Sequence, residues 1–144
     1  MTTVNVYLTF DGNCEEVFNF YKSIFGGDFS YLGRFRDMPP QEGMPAMPEE
    51  MLDRIMHVGL PISKETALMG SDTGGEYPCH IGNNFSISIN TDSKENADRF
   101  FNRLSDGGKT TMPMSNTFWG DYFGMCVDKF GINWMISFNE KQQQ

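Results

Sequence analysis

A histidine within an apolar segment, IMHVGL (55–60), is the residue of this chain best suited to acid–base chemistry. A neutral imidazole can take a proton or bond a ligand near neutral pH, so His57 is a candidate general base. A lone histidine in such a segment is more often structural, and its partners decide the matter. His80 follows Cys79 in YPCHIG (77–82). Adjacent residues converge poorly on one ion and zinc takes four ligands, so Cys79, His80 and His57 make a weak metal set. Cys14 falls in a predicted first helical turn, where the helix dipole can lower a thiol pKa. Cys126 lies inside the apolar run GMCV, where a buried thiol is inert. Trp119 and Tyr122, in FWGDYFG (118–124), can stack on a planar or cationic ligand, or simply anchor a sheet. Asp72 and Asp121 are the acids nearest the predicted strands.

These residues need elements to position them, and the chain builds such elements twice. In NFSISINTDSKE (84–95), Phe85, Ile87 and Ile89 alternate with Asn84, Ser86 and Ser88. In VYLTFDGNCEE (6–16), Val6, Leu8 and Phe10 alternate with Tyr7 and Thr9, and Asn5 precedes them. The two stretches superpose at a shift of 79 residues. Period-two alternation predicts a strand in each. Asn13 with Glu16, and Asp92 with Glu95, then predict a capping box and a helix start. Val17, Tyr21, Ile24 and Phe25 recur at helical spacing, as do Ala97, Phe100, Phe101 and Leu104. Gly26-Gly27 and Gly107-Gly108 supply C-caps. Three more strands follow each helix, near 28–36, 54–61 and 66–71, then near 109–113, 121–127 and 132–138.

The unit is strand–helix–strand–strand–strand, used as modules 1–78 and 79–144 that together form one structural domain. The fold class is α+β, with two βαβββ repeats whose curved mixed sheets surround a cavity. A ferredoxin-like sandwich with one continuous sheet is the alternative. One helix covers one face of a four-stranded sheet. The apolar set Val6, Leu8, Phe10, Phe85, Ile87 and Ile89 belongs under the helices. Asn5, Tyr7, Thr9, Asn84, Ser86 and Ser88 then line the interior and are candidate ligand contacts. A solvated sheet face would show the same alternation. Residues 37–52, DMPPQEGMPAMPEEML, break the repeat with four prolines and four methionines. This segment reads as a lid, a subunit-packing arm or a disordered excursion.

With 144 residues, 39% hydrophobic and 14% aromatic, the chain can fill a core. A net charge of −8 with scattered basic residues argues against a nucleic-acid or anionic-membrane partner. No signal peptide or membrane span is legible, and three unpaired-looking cysteines fit a reducing, cytoplasmic setting. Open sheet edges favour a homodimer.

The doubled unit, with FYKSIFGG, IMHVGL, ALMGSD, FFNRLSDGG and WGDYFGMCVDKFGINWMISF, resembles the vicinal oxygen chelate superfamily. That superfamily includes glyoxalase I, bleomycin-resistance proteins and extradiol dioxygenases. The similarity is greatest to its PhnB-like branch, also labelled 3-demethylubiquinone-9 3-methyltransferase-like. Trp119, Gly120, Phe123, Gly124, Asp128, Phe130, Gly131 and Trp134 carry that branch's pattern. Metal-bearing members place a His, Gln or Glu on each repeat's first strand and a Glu on its last. The resemblance assigns those places to Asn5 and Asn84, and to Met69 (or Gly70) and Met135. None is a usual ligand for a divalent first-row ion, so no cofactor is expected. No Gly-rich turn follows a strand as nucleotide binding would require. The resemblance thus implies a metal-free small-molecule binder whose contacts include Met69 and Met135. The alternative is an enzyme on a small metabolite in the same cavity, using acid–base or metal-dependent lyase, isomerase or dioxygenase-type chemistry.

Overall fold

The computed structural model describes residues 2–40, 42–43, 45–75 and 77–143. Gln41 and Met44 of the Met/Pro-rich segment lie outside the described residues. The chain divides into two compact units, Met1–His80 and Ile81–Gln144.

In the first unit, β1 (Val6–Phe10) leads into α1 (Cys14–Phe25), then β2 (Tyr31–Arg34), β3 (Ile55–Pro61) and β4 (Ala67–Asp72). The sheet order is β1-β4-β3-β2, with β1 parallel to β4 and the other pairs antiparallel. Cys14, Val17, Phe18, Tyr21 and Ile24 form the buried stripe of α1. They share the core with Leu8, Phe10, Val58, Leu60 and Leu68. Cross-strand register puts Leu8, Gly70 and Val58 in one row, and so on one face.

The second unit repeats the path with β5 (Ile87–Asn90), α2 (Lys94–Ser105), β6 (Lys109–Asn116), β7 (Tyr122–Val127) and β8 (Asn133–Phe138). Its order is β5-β8-β7-β6, again with one parallel pair, β5 with β8. Ala97, Phe101 and Leu104 of α2 are buried, together with Ile87, Ile89, Trp134 and Ile136. Two separate four-stranded sheets replace the continuous sheet of the ferredoxin-like alternative. Among the described residues, no helix is long and apolar enough to cross a membrane.

Three local expectations need correction. Phe85 precedes β5 and is 46% exposed, so it does not sit under a helix. The helix starts do not form the expected capping boxes. Asn13 makes no side-chain cap bond; the Asp72 carboxylate, at the end of β4, accepts from Gly12 N and Cys14 N at 2.9 Å each. The N-cap of α2 is Ser93 rather than Asp92, and its hydroxyl accepts from Asn96 N at 3.1 Å. Asp92 instead accepts from the Asn96 side-chain amide at 2.7 Å.

The stem of the 37–52 segment is tied. Phe35 N donates to Arg54 O at 3.1 Å and Arg36 N to Leu52 O at 2.8 Å. Short 3-10 turns, Phe35–Asp37 and Glu49–Met51, sit at its two ends. The Arg36–Asp53 ion pair, 2.9 Å, spans the stem.

Candidate functional site

In the first unit, Tyr7, Met69, Gly59 and Tyr31 form one cross-strand row on the face that α1 leaves uncovered. Thr9 pairs with Ser71 beside it, and His57 pairs with Gly33. The row explains how residues distant in sequence meet. The Tyr7 ring stacks on the His57 ring with centroids 5.7 Å apart and planes at 25°, and Tyr7 Oη lies 3.3 Å from His57 Nδ1. From the other side the Tyr31 ring approaches His57 at 5.9 Å. Gly33 makes that approach possible. A Cβ on Gly33 would lie 2.8 Å from Tyr31 Cε1, so the ring rests on the bare backbone. Both tyrosines remain 48% exposed, so the cluster is accessible.

In the second unit the corresponding face has different chemistry. Ser88, Met135 and Met125 lie in one row. Asn90, Ser137 and Phe123 lie in the next. Ser137 Oγ donates to Asn90 Oδ1 at 2.6 Å. Trp119 stands against Phe123 edge-on at 6.0 Å, and its indole donates to Asp121 Oδ2 at 2.8 Å. Asp121 also accepts from Asn139 Nδ2 at 2.6 Å, so this acid fastens the β6–β7 loop. Asn5 immediately precedes β1; Asn84 and Ser86 precede β5; all three are exposed.

Tyr122 departs from the other candidates. It sits on the helix side of β7, where its hydroxyl bonds Asp98 Oδ1 of α2 at 2.5 Å and Lys94 Nζ lies 4.7 Å from its ring. The Asp98 carboxylate disfavours the phenolate and pushes the Tyr122 pKa up to about 12. This side chain therefore fastens α2 to its sheet.

All three thiols titrate above the ordinary thiol range. Burial, then the charges of Asp72 and Glu15, push Cys14 far above the ordinary thiol range, against the expected dipole effect. Burial, with Asp128 nearby, raises Cys126 to about 11. Cys79 Sγ donates to Thr9 O at 3.2 Å, and burial raises its pKa too. All three cysteines are free. Among the described residues, no three His, Cys, Asp or Glu side chains gather as a metal site would need.

A cleft of about 530 Å³ opens near the start of α1, lined by Asp11, Glu15, Asp53 and Arg54 among others. Three of its acids are held in ion pairs: Arg54 holds Asp11 at 2.8 Å, Arg34 holds Glu15 through both carboxylate oxygens, and Arg36 holds Asp53. These pairs keep the Glu15 and Asp53 carboxyls below their usual range. The aromatic face, which carries His57, is the candidate site.

Sequence reasoning missed Tyr31, Ser71, Phe123 and Met125. The one available signal was YLGR itself, where a glycine two residues after a tyrosine leaves room on the same strand face. The Asp128 motif turned out to be structural. Asp128 accepts from Phe130 N at 2.9 Å, Ile132 N at 3.1 Å and the Trp134 indole at 2.9 Å.

A pair of βαβββ units with this strand order is the vicinal oxygen chelate fold. Within it, residues 2–137 match the family described as 3-demethylubiquinone-9 3-methyltransferase, and the chain belongs to that family. It is 39% identical to protein PA1353 of Pseudomonas aeruginosa, with a TM-score of 0.84 over 96% of this chain and 98% of that one. It is 28% identical to protein YjdN of Escherichia coli K12 over 94% of this chain and 95% of that protein. The PhnB protein of Bacillus cereus, 21% identical, shares the fold with a TM-score of 0.74 over 95% of this chain and 99% of that one.

Proposed function

We propose that this chain is a metal-free small-molecule-binding protein that uses the uncovered sheet faces as its binding surface. The carrying observation is what those faces display: Tyr7, Tyr31, His57, Thr9 and Met69 in one unit, and Ser88, Met125, Met135, Phe123 and Trp119 in the other. Apolar and aromatic groups with a few hydrogen-bonding ones are the usual composition of a small-molecule site. Amides at Asn5 and Asn84 and thioethers at Met69 and Met135 are poor donors for a divalent first-row ion. Methyl transfer would need a methyl-donor site as well. Neither strand-to-helix turn, Asp11-Gly12-Asn13 or Thr91-Asp92-Ser93, has the glycine-rich form of a nucleotide cradle.

A thermal-shift screen of a broad metabolite and drug library tests this. Ligands should raise the melting temperature by mass action, about 2.7 kcal/mol at a hundredfold excess over Kd. A broad library with no hit, or a stoichiometric transition ion whose removal abolishes an activity, would overturn it.

The Tyr7–His57 hydrogen bond favours a second reading, an acid–base enzyme with His57 as base. Turnover unchanged in His57→Ala would dismiss it. We further propose that the two units act as one structural domain, that residues 37–52 cover the site or pack on a second subunit, and that the protein is a cytoplasmic homodimer. The edges of both sheets support the dimer, since among the described residues β1, β2, β5 and β6 each have a strand partner on one side only. A monomer in sedimentation at micromolar concentration would contradict it.

A further inference from the structure

We infer that Tyr7, His57 and Tyr31 form a subsite for a planar aromatic molecule carrying an acceptor oxygen, with His57 Nε2–H as the donor that reads it. The inference rests on the binding reading above and names the chemical class that this surface takes.

The geometry carries it in three steps. First, the imidazole lies between two tyrosine rings at 5.7 Å and 5.9 Å, so a row of three aromatic rings spans the sheet from β1 to β2. Planar rings gain from such contact beyond their area, by about 0.5–1.5 kcal/mol per pair. Second, Tyr7 Oη meets Nδ1 at 3.3 Å. A phenol is a strong donor and a weak acceptor, because its lone pair is delocalised into the ring. An imidazole sp2 nitrogen is a strong acceptor. The hydroxyl therefore donates to Nδ1, and a neutral ring must then carry its hydrogen on Nε2. Among the described residues, no protein group bonds Nε2, so that N–H is offered outward. Third, the strands place no Asp, Glu, Lys or Arg beside it on this face; Thr9, Ser71, Met69 and Gly33 are its neighbours by register. A ligand must therefore be selected by ring shape and by one acceptor, not by a salt bridge.

Titration calorimetry with three probes tests this: 2-naphthoate, cyclohexanecarboxylate and 2-naphthylmethylammonium. The first has ring and acceptor, the second only the acceptor, the third only the ring. We expect 2-naphthoate to bind at least tenfold more tightly than either. His57→Phe, which keeps a ring and removes the donor, should weaken it at least tenfold. Tyr31→Ala should weaken it severalfold without abolishing it. In parallel, 15N-imidazole NMR of the free protein should report hydrogen on Nε2 of His57, and Tyr7→Phe should release that preference. A ring protonated only on Nδ1, equal affinity for all three probes, or no binding of 2-naphthoate would overturn the subsite. Library hits that bind His57→Phe and Tyr31→Ala as tightly as wild type would also overturn it, while leaving the binding reading intact. A library without hits removes that reading as well.

Discussion

The two units follow one chain path, yet each is nailed by a buried carboxylate at a different place. In the first unit Asp72 closes the sheet onto the helix. It accepts from Gly12 N and Cys14 N at the start of α1, and from Ile55 N at the start of β3. In the second unit Asp128 closes the β7–β8 turn and takes the indole of Trp134. The consequence is visible at the helices. α1 is capped from a distant strand and the Asn13 side chain makes no cap bond, whereas α2 caps itself with Ser93. A duplicated path therefore fixes the topology but not which side chain stabilises each corner.

Breaking each nail gives the largest expected effect. Asp72→Ala and Asp128→Ala each orphan three donors in or near the core, costing about 3–5 kcal/mol. Denaturant unfolding measures the loss, and hydrogen exchange locates it. Asp72→Ala should deprotect Gly12, Cys14 and Ile55; Asp128→Ala should deprotect Phe130, Ile132 and the Trp134 indole. Exchange spreading equally over both sets in either variant would show that the carboxylates do not act locally.

A smaller effect separates the two helix exits. Gly107 has φ 78°, as does Gly27 eighty residues earlier. The next positions differ. Asp28 carries an exposed side chain, 3.5 Å from Lys22 Nζ. Gly108 faces the end of β7, where an added Cβ would lie 2.8 Å from the Asp128 carbonyl carbon and 3.0 Å from its Cα. Backbone cannot swing aside as a side chain can. Gly108→Ala should cost about 1–3 kcal/mol. Asp28→Ala should stay within about 0.5 kcal/mol, because an exposed ion pair contributes little. Equal costs at the two positions would contradict this difference.

The pattern of legibility follows from range. Alternation in β1 and β5 and the apolar stripes of α1 and α2 are local signals, and all eight strands and both helices appear near their expected places. The strand expected near 109–113 runs to Asn116 instead, because pairing with β7 extends it through two register shifts at Met112. The α1 cap differs because a tertiary partner, Asp72, displaces Asn13, whereas the α2 cap shifts by one residue from Asp92 to Ser93. Phe85 failed because β5 begins two residues after it, so alternation there has no sheet to enforce it. Tyr31 was missed because only the β2–β3 register brings it to His57, and register across a 20-residue connection leaves no mark in sequence. Tyr122 was placed with Trp119 by proximity in sequence, while strand parity sends it to the opposite face.

Alkaline pH compares the buried thiols of the two units. Cys126 in the folded chain keeps its proton to about 11, against 9.0 for an ordinary thiol. Its folded pKa is raised, so the associated stability is whole below pH 9.0 and is lost as pH climbs toward 11. Over that window one such proton changes stability by about 1.4 kcal/mol per pH unit. Cys14 is raised further, so its loss extends to higher pH. Cys126→Ala should flatten the fall above pH 9.0 while leaving the part due to Cys14. An unchanged slope between pH 9.0 and 11 would mean that this thiol does not titrate on unfolding.

The smallest effect concerns the face itself. Gly33→Ala puts a methyl where the Tyr31 ring now rests, 2.8 Å from Cε1. Gly33 has no positive φ, so alanine fits the backbone. The clash is with a half-exposed side chain that can rotate outward, and alanine also restricts the unfolded chain by about 0.4–1 kcal/mol. The two contributions oppose, and the melting temperature should barely move. The ring contact should not survive. In 13C-resolved NMR the His57 ring signals should lose the shielding that Tyr31 imposes, while the Tyr7 contact to Nδ1 persists. The second unit has no such arrangement to lose, because its counterpart row is Ser88, Met135 and Met125. If His57 signals are unchanged in Gly33→Ala, Tyr31 does not lie against the imidazole, and the aromatic face shrinks to the Tyr7–His57 pair.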